Sequence, residues 1–211
     1  VAMRTFGLGG DSQVHLSREG LAGEISLGPR RVMPVSLLAT THAEMVHNAL
    51  DSALGDERGQ EFAGQFLVPM SDTADGLSTR DQVVFDRIAS GALPMAAAVK
   101  TRIDLGAIDR LLERGLAEKA LAVFGRMRTG AGDKLSDDPH VLAEQIVDQL
   151  TEQTAEVLLE TAFGEEGFDG RARDLARHLL VKKGMSHHRG IVSLDAGLNL
   201  PVVGLGASAH A

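Results

Sequence analysis

Apolar residues recur along this chain with two different periods, and the change of period outlines its elements. Near the start, Gln13-Val14-His15-Leu16 alternates, a turn falls near Arg18-Glu19-Gly20, and Glu24-Ile25-Ser26-Leu27-Gly28-Pro29 follows, which predicts a β-meander over residues 3–38. Thr41-His42-Ala43-Glu44 is a capping-box pattern ahead of an apolar face made by Met45, Val46, Ala49, Leu50, Ala53 and Leu54, with Gly55 as the stop. A short apolar run closed by Pro69 predicts a strand at 65–70. Thr79-x-x-Gln82 predicts a helix running to about residue 90, followed by a short helix near 95–100 and another over 104–114 that ends at Gly115. Asp138 before Pro139 heads the longest helix, in which Leu142, Ile146, Leu150, Val157, Leu158 and Ala162 keep helical spacing to about Phe163. A further helix is expected at 171–183, with Arg177, Lys182 and Lys183 near the negative end of its dipole, and residues 191–194 and 200–203 return to strand.

Strands toward both ends and helices between them predict an α/β fold: a sheet-containing part at 1–77 and 184–211 that carries a helical insertion at 78–183. An apolar content of 44% is enough to bury a core. The formal charge of -8, with no run of Lys or Arg longer than a pair, opposes nucleic acid as a partner. The three helices predicted between 78 and 116 resemble a winged-helix reader in pattern. There, however, Arg80, Arg87, Lys100, Arg102, Arg110 and Arg114 are offset by Asp81, Asp86, Asp104, Asp109 and Glu113. No apolar stretch approaches the roughly 20 residues that cross a bilayer and no leader pattern opens the chain, so no membrane partner is expected. Zero cysteines exclude a disulfide scaffold and a thiolate nucleophile and make the cytoplasm the expected compartment.

Two glycine turns carry the candidate chemistry. Pro201-Val202-Val203-Gly204-Leu205-Gly206-Ala207-Ser208-Ala209 is an apolar run feeding a Gly-x-Gly-x-x-Ala pattern, which suits either close backbone approach to a nucleotide or a plain structural turn. The helix such a turn opens has barely begun when the sequence stops, and the other terminus enters directly on strand-like residues, so the chain reads as a piece of a larger protein. Gly7-Leu8-Gly9-Gly10-Asp11-Ser12 offers consecutive amides for an anion nest and Asp11 and Ser12 as groups for a hydrated metal, against the alternative of an ordinary hairpin turn. The histidines form no metal pair: His42 and His47 lie ~140° apart around a helix, and His187-His188 has no third ligand indicated. The loop from Arg126 to Lys134 lacks the Gly-Lys-Ser/Thr ending of a phosphate-binding loop, and there is no Gly-x-Ser-x-Gly elbow.

The phrases Arg4-Thr5-Phe6-Gly7-Leu8-Gly9-Gly10-Asp11-Ser12, Leu27-Gly28-Pro29, residues 141–163 and Pro201-Val202-Val203-Gly204-Leu205-Gly206-Ala207 together resemble the hydantoinase/oxoprolinase A-subunit family. That resemblance implies a partial ribonuclease-H-like lobe of the actin-like ATPase superfamily, with ATP and Mg2+ as cofactors of the full-length protein and a cyclic amide, a hydantoin or 5-oxoproline, as substrate. Some relatives instead carboxylate a ketone. It implies nucleotide contact at Gly9, Gly10, Asp11 and Ser12 and, on the adenosine side, at Gly204, Gly206 and Ala207. A B-subunit or a homo-oligomer is the partner it implies. The family's Asp-x-Gly-Gly-Thr phosphate loops are missing, as is a Thr-Pro-Thr/Ser-Asp segment at 115–120, so this chain alone is not expected to turn over ATP or to bind it firmly, and no catalytic residue is assigned.

Overall fold

A computed structural model of the chain describes residues 6–16, 25–55, 60–127, 133–168, 170, 174, 176–181 and 187–203. The fold is mixed α/β and divides into two compact units, one built on residues 31–139 and the other on 6–16, 25–30 and the described part of 140–203.

In the first unit a four-stranded sheet runs in the order β3 (Met33–Pro34), β6 (Ala117–Leu121), β4 (Gln65–Pro69), β5 (Leu93–Pro94). β3 is parallel to β6, while β4 is antiparallel to both of its neighbours and pairs with β6 from Gln65↔Leu121 to Pro69↔Ala117. Strand alternation sends adjacent residues to opposite faces. Phe66 and Ala120 therefore pack with Leu38 and Val46 of α1 (Val35–Gly55), whereas Leu67 and Ala117 pack with α2 (Thr79–Ile88), α3 (Met95–Ala98) and α4 (Arg102–Glu113). Both sheet faces are covered by helices, which explains why Phe66, Leu67, Ile88, Ile108 and Leu111 are all but inaccessible to water.

α2 and α4 bury the same stripe. In α2 the residues are Asp81, Val84, Phe85 and Ile88; in α4 they are Asp104, Ala107, Ile108 and Leu111. The spacing i, i+3, i+4, i+7 puts each set on one side of its helix. Gly115 follows α4 with φ +67°, the left-handed conformation that lets a helix stop without a Cβ penalty.

Several sequence expectations shift here. α1 begins at Val35, and the predicted capping box at Thr41 falls instead on an interruption, where His42 leaves helical geometry at φ -129°, ψ 40°. Ser78, one residue before the expected Thr79, caps α2 by accepting a hydrogen bond from the Asp81 N–H. Within the stretch read as a helical insertion, residues 117–121 form a strand between β3 and β4. Its charged Glu118 and Lys119 hid it, because its backbone is held by partners distant in sequence.

The second unit holds the pair β1 (Ser12–Leu16) and β2 (Ile25–Arg31), the 27-residue helix α5 (Pro139–Glu165), a π-helical turn at Ala176–Val181, and an antiparallel hairpin of β7 (His187–Arg189) and β8 (Ser193–Asp195). Leu159, Leu180 and Val181 form its small core with Phe163 and Leu194. His187 and His188 are strand residues, and the expected strand at 200–203 is irregular and exposed. Of the helix expected at 171–183, residues 176–181 are the π-helical turn, while 171–173, 175, 182 and 183 lie outside the described residues, as does the tip of the 126–134 loop. Among the described residues, no helix is long and apolar enough to cross a membrane.

Candidate functional site

The first glycine turn is built around Ser12. Its N–H donates to Gly9 O at 3.0 Å, its Oγ accepts from Gly9 N–H at 2.8 Å, and its hydroxyl donates to Gly7 O at 3.2 Å. Ser12 is buried, so these bonds satisfy a hydroxyl that would otherwise be costly to remove from water. The consequence for the expected anion nest is specific. The amides of Gly9 and Ser12 and the Ser12 hydroxyl are spent inside the turn, and exposed Gly10 is left as its outward residue.

The glycines divide into two kinds. At Gly7 an added Cβ would lie 2.1 Å from Pro29 O, and at Gly28, where φ is +66°, it would lie 2.0 Å from Gly7 O. Both positions therefore demand glycine because two backbones press together. At Gly9 a Cβ would meet only Asp11 Oδ1 at 3.4 Å, and at Gly10 it would meet nothing within 4 Å. Protein packing does not require glycine at 9 or 10, and bare backbone there leaves room for a molecule from outside.

A cavity of about 800 Å³ opens in the same unit. Its walls include Phe6, next to the first glycine turn, and Pro201 and Val202, which lead toward the second, together with Leu158, Phe163 and Leu194. Phe163 meets Phe168 edge-to-face at 5.7 Å between ring centres. The size and the largely apolar lining are those of a small-molecule pocket. Of the expected site residues, Gly9, Gly10, Asp11 and Ser12 fall together on the turn; Gly204, Gly206 and Ala207 lie outside the described residues.

Sequence reasoning passed over two further clusters. Between α2 and α4 the helices exchange ion pairs: Asp104 receives Arg80 and, at 3.2 Å, Arg87, while Asp81 receives Arg110 at 2.6 Å. Burial alone would push the Asp104 carboxyl up; the Lys100 and Thr101 amides and the Arg87 and Arg80 guanidiniums outweigh it and hold the group well below the usual carboxylate range. Arg110 likewise holds Asp81 down, against a smaller opposing effect of burial, with help from Ser78. Each acid sits three residues after its helix cap, at Ser78-x-x-Asp81 and Thr101-x-x-Asp104, a spacing visible in the chain. With every oxygen engaged, these carboxylates lock two helices together and leave no base for chemistry. The second cluster is Gln153, whose side-chain amide bonds both to the N–H and to the carbonyl of Leu27. Nothing in the sequence announces it.

Among the described residues, no three of His, Cys, Asp and Glu gather around a common point. No protein-family model, curated protein or solved structure matches this chain.

Proposed function

We propose that this chain is part of a cytoplasmic, actin-like ATPase enzyme that opens cyclic amides, and that its 9–12 turn forms a wall of the nucleotide site. The single observation that carries the reading is a cavity of small-molecule size lined by Phe6, three residues before Gly9, and by Pro201 and Val202, which precede the second glycine pattern in the chain. The resemblance adds the substrate class, a hydantoin or 5-oxoproline, and the adenosine-side role of Gly204, Gly206 and Ala207. The lack of cysteine supports the compartment.

The residues present fit a nucleotide in part. Gly10 allows close approach because a Cβ there would meet nothing within 4 Å, whereas at Gly9 the Asp11 carboxylate stands beside the backbone. Ser12 serves by holding the turn's shape, since its hydroxyl is already engaged by Gly7 and Gly9; it does not suit a magnesium-binding role. ATP with Mg2+ would supply the phosphoryl group that turns an unreactive amide oxygen into a leaving group.

The test is phosphate release by the full-length protein with Mg-ATP and either a hydantoin or 5-oxoproline. Gly10→Val is expected to lower kcat/KM for ATP at least tenfold with little change in melting temperature, because a Cβ there meets no protein atom within 4 Å and the branched side chain fills the approach. No stimulation of phosphate release by either cyclic amide would defeat the reading. A second reading, a non-catalytic lobe that binds a B-subunit, draws on the exposure of Ile191, Val192, Leu200, Val202 and Val203. Co-elution with that subunit regardless of nucleotide, without amide-stimulated phosphate release, would favour it.

A further inference from the structure

Gln153 lies in the middle of α5 and has no place among the candidate site residues, yet its contacts lead directly to them. Its Oε1 accepts from Leu27 N–H at 2.8 Å and its Nε2 donates to Leu27 O at 3.3 Å. A side-chain amide here does for one residue of β2 what a neighbouring strand would do, satisfying donor and acceptor together. Leu27 is buried and is followed at once by Gly28, the residue whose Cα is pressed against Gly7 O. Gly7 O in turn accepts the Ser12 hydroxyl, and Ser12 closes the turn through Gly9.

We infer that Gln153 is a positioning residue for the 9–12 turn: by clamping Leu27 it fixes the Gly28–Gly7 contact on which the turn is seated, and so sets where Gly9 and Gly10 stand. Each link is either a hydrogen bond or a backbone contact with no room for a methyl group, so displacement of Leu27 passes to Gly7 instead of being absorbed. The functional half of this inference rests on the nucleotide reading above; the mechanical half does not.

The two halves separate experimentally. Gln153→Leu removes both bonds to Leu27, while Gln153→Glu keeps an acceptor for its N–H and loses the donor to its carbonyl. Leu142→Ala, at a buried position elsewhere on α5, serves as a control for general loosening of the helix. Hydrogen exchange resolved to single amides is expected to quicken at Gly9 and Ser12 about tenfold in Gln153→Leu and less in Gln153→Glu. In Leu142→Ala, at a similar loss of melting temperature, those two amides should change less than twofold. Equal quickening in Leu142→Ala, or none in either Gln153 variant, overturns the inference. In the full-length protein the Gln153 variants should then raise KM for Mg-ATP about fivefold with kcat within twofold, a split that simple destabilisation does not produce. If exchange responds as expected but neither Gln153→Leu nor Gly10→Val moves KM for ATP, the relay stands and the nucleotide reading falls. Should Gln153→Leu fail to fold, Gln153→Glu carries the same comparison.

Discussion

The two units answer the problem of burying apolar surface in opposite ways. The 31–139 unit covers both faces of its sheet, and its buried charges, Asp81 and Asp104, are met by arginines from the facing helix. In the other unit, α5 is 27 residues long and buries only Leu142 and Leu159, while Val141 and Val147 on the same helix are exposed. Ile191, Val192, Leu200, Val202 and Val203 are exposed as well. A region that pairs its charges and closes its core is stabilised from within. The other leaves apolar side chains in water beside a cavity of about 800 Å³.

This contrast can be broken most forcefully in the core. Ile108→Ala should destabilise the protein by about 3 kcal/mol, as expected for a fully buried side chain with no room to collapse, whereas Val147→Ala on α5 should stay within about 0.5 kcal/mol. Denaturant titration of both variants checks it, and a comparable loss from Val147→Ala would erase the difference between the units.

Next comes the charge lock. Asp104→Ala is expected to cost about 2–3 kcal/mol, because the Lys100 and Thr101 amides and two guanidiniums lose their acceptor. The folded carboxyl is depressed below its unfolded value. Its contribution is therefore fully present above the unfolded carboxylate range, about pH 4, and is lost as pH falls toward the folded value. Unfolding followed from pH 6 to pH 2 should show a shallower acid decline in Asp104→Asn than in the parent protein. Equal slopes would mean that this carboxylate is not what ties stability to acid.

The smallest effect expected lies in the turn. Gly28→Ala should cost about 2 kcal/mol through its positive φ and the contact with Gly7 O, measured by thermal unfolding. An unchanged midpoint would show that the two backbones part easily, and the seat of the 9–12 turn would then be softer than its geometry implies.

Legibility followed the range of the interactions. The helices α2, α4 and α5 were readable because apolar spacing, caps and stop glycines act within a few residues, and even the miss by one residue at Ser78 kept α2 in place. β6 was hidden because five ordinary residues, Ala117-Glu118-Lys119-Ala120-Leu121, become a strand only when β3 and β4 supply hydrogen bonds on both sides. The expected strand at 200–203 failed for the converse reason: an apolar run without a ladder partner among the described residues does not become one. At the candidate site, the Gly-Gly-Asp-Ser turn was recognisable, but the fact that Ser12 spends its hydroxyl inward was not.

What the chain's own order of residues determined is the mixed α/β class, the run of helices, and the presence of glycines where backbone must be bare. Only tertiary structure decided which glycines serve the fold and which stand open, because that depends on Pro29 reaching Gly7 across a gap of more than twenty residues. It alone also gave Gln153 its partner, Leu27, for a hydrogen bond between positions 126 residues apart leaves no local trace in spacing or composition.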